Sequence, residues 1–260
     1  MMEAQRKYSS LKYFPFGSAV DKIAVSRESD PQNCDFILVL GGDGTMLQAV
    51  NSFAQYKKPF LGVNFGHRGF LMNDPKDFSF ERVTHEDYEI FKAALLEITI
   101  KTADGNSVTD FALNDVTIHE DTGQSAWLEV SINGELFGDV IRGDGLIVCT
   151  PLGSTAYTTN AGGVPVLATL PVFELTPIAV EPKNRLPIVV PDSSVIHIKA
   201  LELPKRNVRA TQGSIFRYKN VVEIEVKKAA LAVELIFFRP NDMPWDTFFL
   251  RRFSEKIFKA

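Results

Sequence analysis

The residues in this chain best suited to chemistry are Gly41-Gly42-Asp43-Gly44-Thr45. The apolar run Asp35 to Leu40 leads into them and reads as a buried strand, and Leu47, Val50, Phe53 and Ala54 follow at helical spacing. A glycine loop between a strand and a helix turns tightly and presents backbone N–H groups beside a helix N-terminus, which favours a phosphate. The loop also carries one carboxylate, Asp43. Beside phosphates an acid is electrostatically out of place unless it takes a proton from a nucleophile or helps hold a divalent cation. The combination points to a kinase-like site.

Two further segments share that character. Asn114-Asp115 follows the apolar Phe111-Ala112-Leu113. An amide and a carboxylate at a strand edge can read an adenine edge and a ribose hydroxyl. The run from Arg142 to Tyr157 contains a second Gly-Asp-Gly at Asp144, a short buried strand, and a loop of glycine and hydroxyl residues. There small residues let a planar ligand approach the backbone, while Thr155 and Tyr157 offer hydrogen bonds and an aromatic wall. Each segment also reads as a plain turn or hairpin. Their common character within one chain is what strengthens them.

Other chemistries lack their residues. There is no Gly-x-x-x-x-Gly-Lys-Ser/Thr loop, and Leu47 stands where a dinucleotide fingerprint needs its third glycine. Neither Gly-x-Ser-x-Gly nor His-Glu-x-x-His occurs. The four histidines, at 67, 85, 119 and 197, show no metal-ligand spacing, so no protein-bound metal site is expected.

The elements that must position these residues change in texture along the chain. In the first ninety or so residues, strand-like and helix-like segments alternate. Pro59 to Asn64 reads as a second strand after the glycine loop and its helix, giving a βαβ unit and a parallel sheet. A helix is expected near His85 to Leu95. From about 95 to 230, short alternating strands dominate, with Asn133-Gly134 as a two-residue hairpin turn. The end, Trp245 to Phe258, reads as an amphipathic helix with Phe249, Leu250, Phe253 and Ile257 near one face. The expected fold is an α/β N-terminal domain with a Rossmann-like parallel sheet (1–94, joined by the tail 231–260) plus an all-β, sandwich-like domain (95–230). The terminal helix packs back on the first of these.

With 45% hydrophobic and 23% charged residues, 260 residues are ordinary for a globular protein. The net charge of −4 and the lack of a long Lys/Arg run argue against nucleic acid as partner. Cys34 and Cys149 read as two buried thiols in a reducing compartment. Met1 to Phe14 lacks the long apolar core of a signal peptide, and no apolar run reaches membrane-spanning length. A cytoplasmic protein with no membrane contact is expected.

Taken in order, Gly41 to Thr45, Asn64 to Leu71, Leu113-Asn114-Asp115, Arg142 to Gly145, and Thr150 to Tyr157 with Gly162-Gly163 resemble the bacterial ATP-NAD kinase family over roughly residues 35 to 165. The first loop alone is shared with lipid and sugar-phosphate kinases; the Thr-Pro-Leu-Gly-Ser-Thr-Ala-Tyr run is what distinguishes NAD kinases. The resemblance implies transfer of the γ-phosphoryl of ATP to the 2′-hydroxyl of NAD, with Mg²⁺ bound to the substrate phosphates. By the same resemblance, Asp43 acts at that hydroxyl as base or orienting group, and Gly42, Gly44 and Thr45 shape the phosphate-facing loop. Asn114 binds adenine and Asp115 the neighbouring ribose, with Thr155 on the adenine side. Asp144, Ala156 and Tyr157 contact the nicotinamide half, Phe70 lines the dinucleotide cleft, and Arg142 and Asn160 complete the substrate contacts. A homodimer or homotetramer is implied. Asp115 stands where many members carry glutamate, Leu152 replaces a smaller residue, and Val208 to Gly213 lacks the acid usual there. Two rival readings are a lipid kinase of the same superfamily and a non-catalytic NAD or NADP sensor.

Overall fold

The computed structural model of the chain describes residues 12–17, 30–66, 69–181, 186–212, 215–240 and 242–257. Of the positions named above, His67, Arg68, Gly213 and Phe258 lie outside the described residues. The chain divides into two compact units, Met1–Ala93 with Ala232–Ala260, and Ala94–Leu231.

The first unit begins with β1 (Tyr13–Phe16), β2 (Phe36–Gly41), α1 (Asp43–Phe53), β3 (Phe60–Asn64) and α2 (Phe80–Thr84). β1 pairs with β2 and β2 with β3, all parallel, with Ile37 opposite Phe60 and Gly41 opposite Asn64. β1 lies at the sheet edge, the position that tolerates Pro15. Tyr13, Phe36, Leu38, Leu40, Leu61 and Val63 form the core of this unit. No strand was anticipated at Tyr13–Phe16.

Where a helix was expected near His85 to Leu95, the chain forms the strand β4 (Glu89–Thr102) instead. Its buried residues, Phe91, Ala93 and Leu95, then Leu96, Ile98 and Ile100, recur at every second position, which a strand satisfies and a helix does not. The only helix in this neighbourhood among the described residues is the short α2, capped by Ser79 Oγ accepting from the Arg82 N–H at 3.1 Å.

The second unit continues through β5 (Ser107–Ala112), β6 (Asp115–Glu120), β7 (Ala126–Ile132), β8 (Glu135–Leu136), β9 (Ile141–Gly143) and β10 (Gly145–Cys149). A one-turn helix α3 (Tyr157–Asn160) follows, then β11 (Val172–Ile178), β12 (Ile188–Pro191), β13 (Ile196–Ala200), β14 (Val208–Gln212) and the long β15 (Phe216–Phe237). β15 pairs first with β14, which leads on to β6, β10, β11 and β12. Its next stretch pairs with β13, which leads to β7 and then to β8 and β9. Side chains from both limbs, among them Val116, Val148 and Phe173 from one and Leu128, Val130 and Ile198 from the other, share one core. The unit is thus sandwich-like. Asn133 and Gly134 both have positive φ, 53° and 86°, as a two-residue hairpin turn between β7 and β8 requires.

The chain returns to the first unit near the end of β15, where Leu235 and Ile236 pair in parallel with Phe60 and Leu61 of β3. The terminal helix α4 (Trp245–Ile257) buries Phe249 of the face expected from sequence, and with it Phe248 in place of Leu250. Leu250 is 55% exposed. The stripe runs through Trp245, Phe248, Phe249 and Arg252, spaced three, four and seven apart, and packs on Phe91 and Phe237. The side chain of Ile257 lies outside the described residues.

Candidate functional site

The expected glycine loop closes β2 and opens α1, with Gly42 as N-cap and Asp43 as the first helical residue. Thr45 Oγ1 accepts from the Gly42 N–H at 3.4 Å, and a Cβ on Gly41 would collide with that threonine side chain. Asp43 turns its carboxylate away from the loop it belongs to. Oδ2 accepts from the Phe70 N–H and Oδ1 from the Leu71 N–H, both at 2.9 Å. Two such bonds, one to each oxygen, fix the plane of the carboxylate.

The segment supplying those amides is held on its other sides as well. Asn73 is buried, and its Nδ2 donates to the carbonyls of Gly62 at 2.9 Å and Ile236 at 2.8 Å. Its Oδ1 accepts from the Phe238 N–H at 2.9 Å. Arg252 Nη1 donates to the carbonyls of Phe70 at 3.0 Å and Met72 at 2.6 Å, with a longer contact to Gly69 at 3.5 Å. The Arg252 guanidinium stacks over the rings of Phe237 and Phe248. Burial pulls Arg252 down to about 10, a value at which it remains charged at neutral pH; Asp43 is the first of four acids that oppose the drop.

In the second unit the structure joins two segments far apart in sequence. Cys149 lies opposite Asp115 in the β10–β6 pairing, so Thr150 meets Asn114. The Thr150 N–H donates to the Asn114 carbonyl at 2.8 Å, and Thr150 Oγ1 donates to the Leu113 carbonyl at 2.6 Å. A Cβ on Gly153 would run into the Asn114 backbone, so only glycine lets the loop approach this closely. Ser154 Oγ accepts from the Val166 N–H at 2.9 Å, binding the following turn to the loop.

The electrostatics here are those of a desolvated acidic row. Asp115, Cys149 and Glu174 stand side by side across β6, β10 and β11. Burial pushes the Asp115 carboxyl up to about 6, opposed by Thr117, which donates to Oδ2 at 3.5 Å. Burial also raises Glu174 and the Cys149 thiol. Glu174 Oε1 accepts from the Val164 N–H at 2.7 Å and Thr176 Oγ1 at 2.9 Å. Asn114 is 7% exposed, and its buried Oδ1 has no hydrogen-bond partner. A buried acceptor left open in this way suits an incoming N–H group.

The predicted residues therefore fall into separate places. Gly42, Asp43, Gly44 and Thr45 share the α1 loop, and Gly44 is exposed. Asn114, Asp115 and Thr155 gather around the Thr150 loop; Ala156 is half-buried, Tyr157 is 42% exposed and Asn160 is exposed one turn later. Arg142 and Asp144 lie at the other end of β10 from Thr150, with Asp144 exposed and the Arg142 guanidinium over Trp127 at 4.5 Å. Phe70 is 3% exposed, its ring centroid lies 5.7 Å from that of Phe249, and its backbone N–H donates to Asp43. Arg252, Asn73 and Glu174 were not anticipated. The one available signal was Arg252, the member of the Arg251-Arg252 pair that falls four and three positions after two buried aromatics.

Cys34 and Cys149 are both buried and free, and no described helix is long and apolar enough to cross a membrane.

A carboxylate clamped at the head of a helix in a glycine loop, and elsewhere a buried amide oxygen beside a raised carboxyl, are the chemistry of a nucleotide-dependent phosphotransferase. Residues 2–85 match the ATP-NAD kinase N-terminal domain, and residues 113–236 match the ATP-NAD kinase C-terminal domain. An NAD kinase from Xylella fastidiosa (strain 9a5c) is 31% identical over 224 residues, covering 86% of this chain and 85% of the relative. One from Neisseria gonorrhoeae (strain NCCP11945) is 34% identical over 201 residues, 76% and 68% of the two chains. The structure of yeast NADH kinase complexed with NADH superposes with a TM-score of 0.76 at 27% identity, covering 89% of this chain and 69% of that one. An Archaeoglobus fulgidus NAD kinase in complex with ATP gives 0.73 at 23% identity, covering 93% and 98%, a likeness of fold. The chain belongs to the ATP-NAD kinase family. Its activity is phosphoryl transfer from ATP to the 2′-hydroxyl of NAD, and nothing favours the lipid-kinase or sensor readings.

Proposed function

We propose that Asp43 serves the 2′-hydroxyl of the adenosine ribose of NAD, accepting its hydrogen bond and, late in transfer, its proton. The observation that carries this is the double backbone clamp on its carboxylate from Phe70 and Leu71. A carboxylate oxygen accepts more than one hydrogen bond, so a clamped carboxylate is compatible with a hydroxyl donor. In this reading Asp43 orients the hydroxyl first and takes the proton only as the O–P bond forms. Phosphoryl transfer rewards such positioning more than early deprotonation.

Asn114 then takes the adenine edge, its open Oδ1 suiting the exocyclic amino group, and Asp115 takes the ribose hydroxyls. Thr155 stands on the adenine side, and Ala156, Tyr157 and Asn160 serve the nicotinamide half. Gly42, Gly44 and Thr45 face the phosphates. Among the described residues no three His, Cys, Asp or Glu side chains group to hold a metal. In this reading a divalent cation, Mg²⁺, is held mainly by the donor phosphates and neutralises their charge, with Asp43 as its acidic neighbour on the chain.

The protein is read as a cytoplasmic homodimer or homotetramer. The placing of Arg142 and Asp144 at the far end of β10 supports this, since a second copy can bring them to the nicotinamide half. Light scattering after size exclusion tests the assembly, and a monomer would overturn it.

The decisive assay gives purified protein ATP, Mg²⁺ and either NAD or NADH, the latter because the yeast relative is an NADH kinase. Product is read as NADP(H) with a specific dehydrogenase. Asp43→Asn is expected to lower kcat by roughly 10²–10⁴ while NAD still binds by calorimetry. Turnover near that of the unsubstituted enzyme would sink the role of Asp43.

A further inference from the structure

We infer that Arg252 is a positioning residue for phosphoryl transfer, holding two peptide groups by their carbonyls so that their N–H groups stay aimed at the Asp43 carboxylate. In a trans peptide the C=O and N–H point in opposite directions. Among the described residues the only cis bond is Leu203-Pro204, so the Gly69–Phe70 and Phe70–Leu71 peptides are trans. The first has its carbonyl toward Arg252 Nη1 at 3.5 Å and its N–H on Asp43 Oδ2 at 2.9 Å. The second has its carbonyl on Arg252 at 3.0 Å and its N–H on Asp43 Oδ1 at 2.9 Å. A cation and an anion thus sit at opposite ends of the same two dipoles.

This arrangement does two things. It prevents either peptide from rotating, because rotation would break bonds on both sides at once. It also polarises each N–H toward Asp43, an effect that a buried, low-dielectric setting strengthens. Arg252 cannot drift, since the Met72 carbonyl and the rings of Phe237 and Phe248 fix its head. Its reduced but still high proton affinity keeps it charged at working pH. Arg252 also borders a cavity of about 540 Å³ with Asn64, Gly69 and Met72, so a small cation can reach its place when the side chain is cut back.

The inference rests on the reading that Asp43 serves the 2′-hydroxyl, and the test separates the two. Arg252→Met is expected to lower kcat about 10–100-fold with the KM for NAD within about threefold, the cost of a slightly misplaced group. Arg252→Lys, which keeps a positive charge but not the planar, stacked guanidinium, should recover part of the loss. Millimolar guanidinium chloride should restore part of the turnover of Arg252→Ala and leave the unsubstituted enzyme unchanged. In an Asp43→Asn background, Arg252→Met should cost no more than about twofold, because its effect passes through Asp43. Equal losses in both backgrounds, or a lowered Tm with kcat intact, would overturn the inference. Should Arg252→Met fail to fold, the lysine variant and the guanidinium rescue decide it. If Asp43→Asn itself proves active, it is the reading of Asp43 that fails.

Discussion

Asp115→Asn should stabilise the apo protein and weaken its hold on NAD at the same time. The Asp115 carboxyl is raised from 3.8 to about 6 by burial at the end of β6, with Thr117 its one opposing side chain. A difference of roughly two units corresponds to about 3 kcal/mol between folded and unfolded states. The sign follows from which state holds the proton. Between about pH 4 and pH 6 the folded protein keeps a proton on Asp115 that the unfolded chain has released, so stability falls as pH rises through that window. Above it the penalty is complete. Asparagine removes the charge but still buries an amide, so a net gain of about 1–2 kcal/mol at pH 8 is expected, ~2–8 °C in Tm. Near pH 4 the gain should vanish, because the native side chain is then neutral too. A ribose hydroxyl donates best to the ionised carboxylate. The variant should therefore lose about 10–100-fold in NAD affinity at pH 8, and the unsubstituted protein should bind NAD progressively worse below pH 6. Thermal melts at the two pH values and titration calorimetry with NAD read both effects. An equal change in Tm at pH 4 and pH 8 would refute the burial argument, and unchanged affinity would remove Asp115 from the ribose.

The loop that meets Asn114 should be equally sensitive to a single methyl group. In Gly153→Ala the new Cβ meets backbone that cannot yield, so the Thr150 loop must lift from Leu113 and Asn114. The KM for NAD should rise at least about tenfold, with about 1–3 kcal/mol of destabilisation; steady-state kinetics with an unaltered KM would contradict this. Asn73→Ala strands the Ile236 carbonyl and the Phe238 N–H in the core of the first unit. A loss of about 2–4 kcal/mol is expected in urea unfolding, along with a reduced kcat, because the same residue anchors the segment that clamps Asp43.

Local grammar made part of this molecule legible. The strand, glycine loop and helix at 36–53 follow from residues adjacent in sequence, and so does the Asn133-Gly134 turn. Between 88 and 95 the pattern was ambiguous, since Tyr88, Phe91 and Leu95 suit a helix while Phe91, Ala93 and Leu95 suit a strand. Pairing decided it: β4 continues beyond that window to pair with β5 from Leu96 to Lys101 and also pairs with β15, contacts invisible in a local window. The same limit applied at the sites. Asn114-Asp115 and the Thr150 run were each recognisable, but their contact depends on the register of β6 against β10. Phe70 meets Asp43 through a backbone N–H that any residue but proline could supply, a contact its side chain does not announce. Arg252 was passed over because the apolar face of α4 was drawn one step away from the true stripe.

The held segment between β3 and α2 explains why an acid can stand in a phosphate-facing loop at all. Asn73 fixes it to the sheet by an amide, Arg252 holds its carbonyls with a cation, and Asp43 receives its amides. Asp43 is thereby engaged by local hydrogen bonds and by the nearby Arg252 cation before any substrate is bound. Its mount is rigid because every peptide presented to it is engaged on both sides. In the proposed reading, affinity for NAD draws on other residues, Asn114, Asp115 and the Thr150 loop, in the second unit. Substitutions should therefore sort by unit: those at Asp43, Asn73 and Arg252 should act mainly on kcat, those at Asn114, Asp115 and Gly153 mainly on KM. A substitution at Arg252 that raised KM and spared kcat would break that division, and with it the argument that the clamp exists for the transfer step.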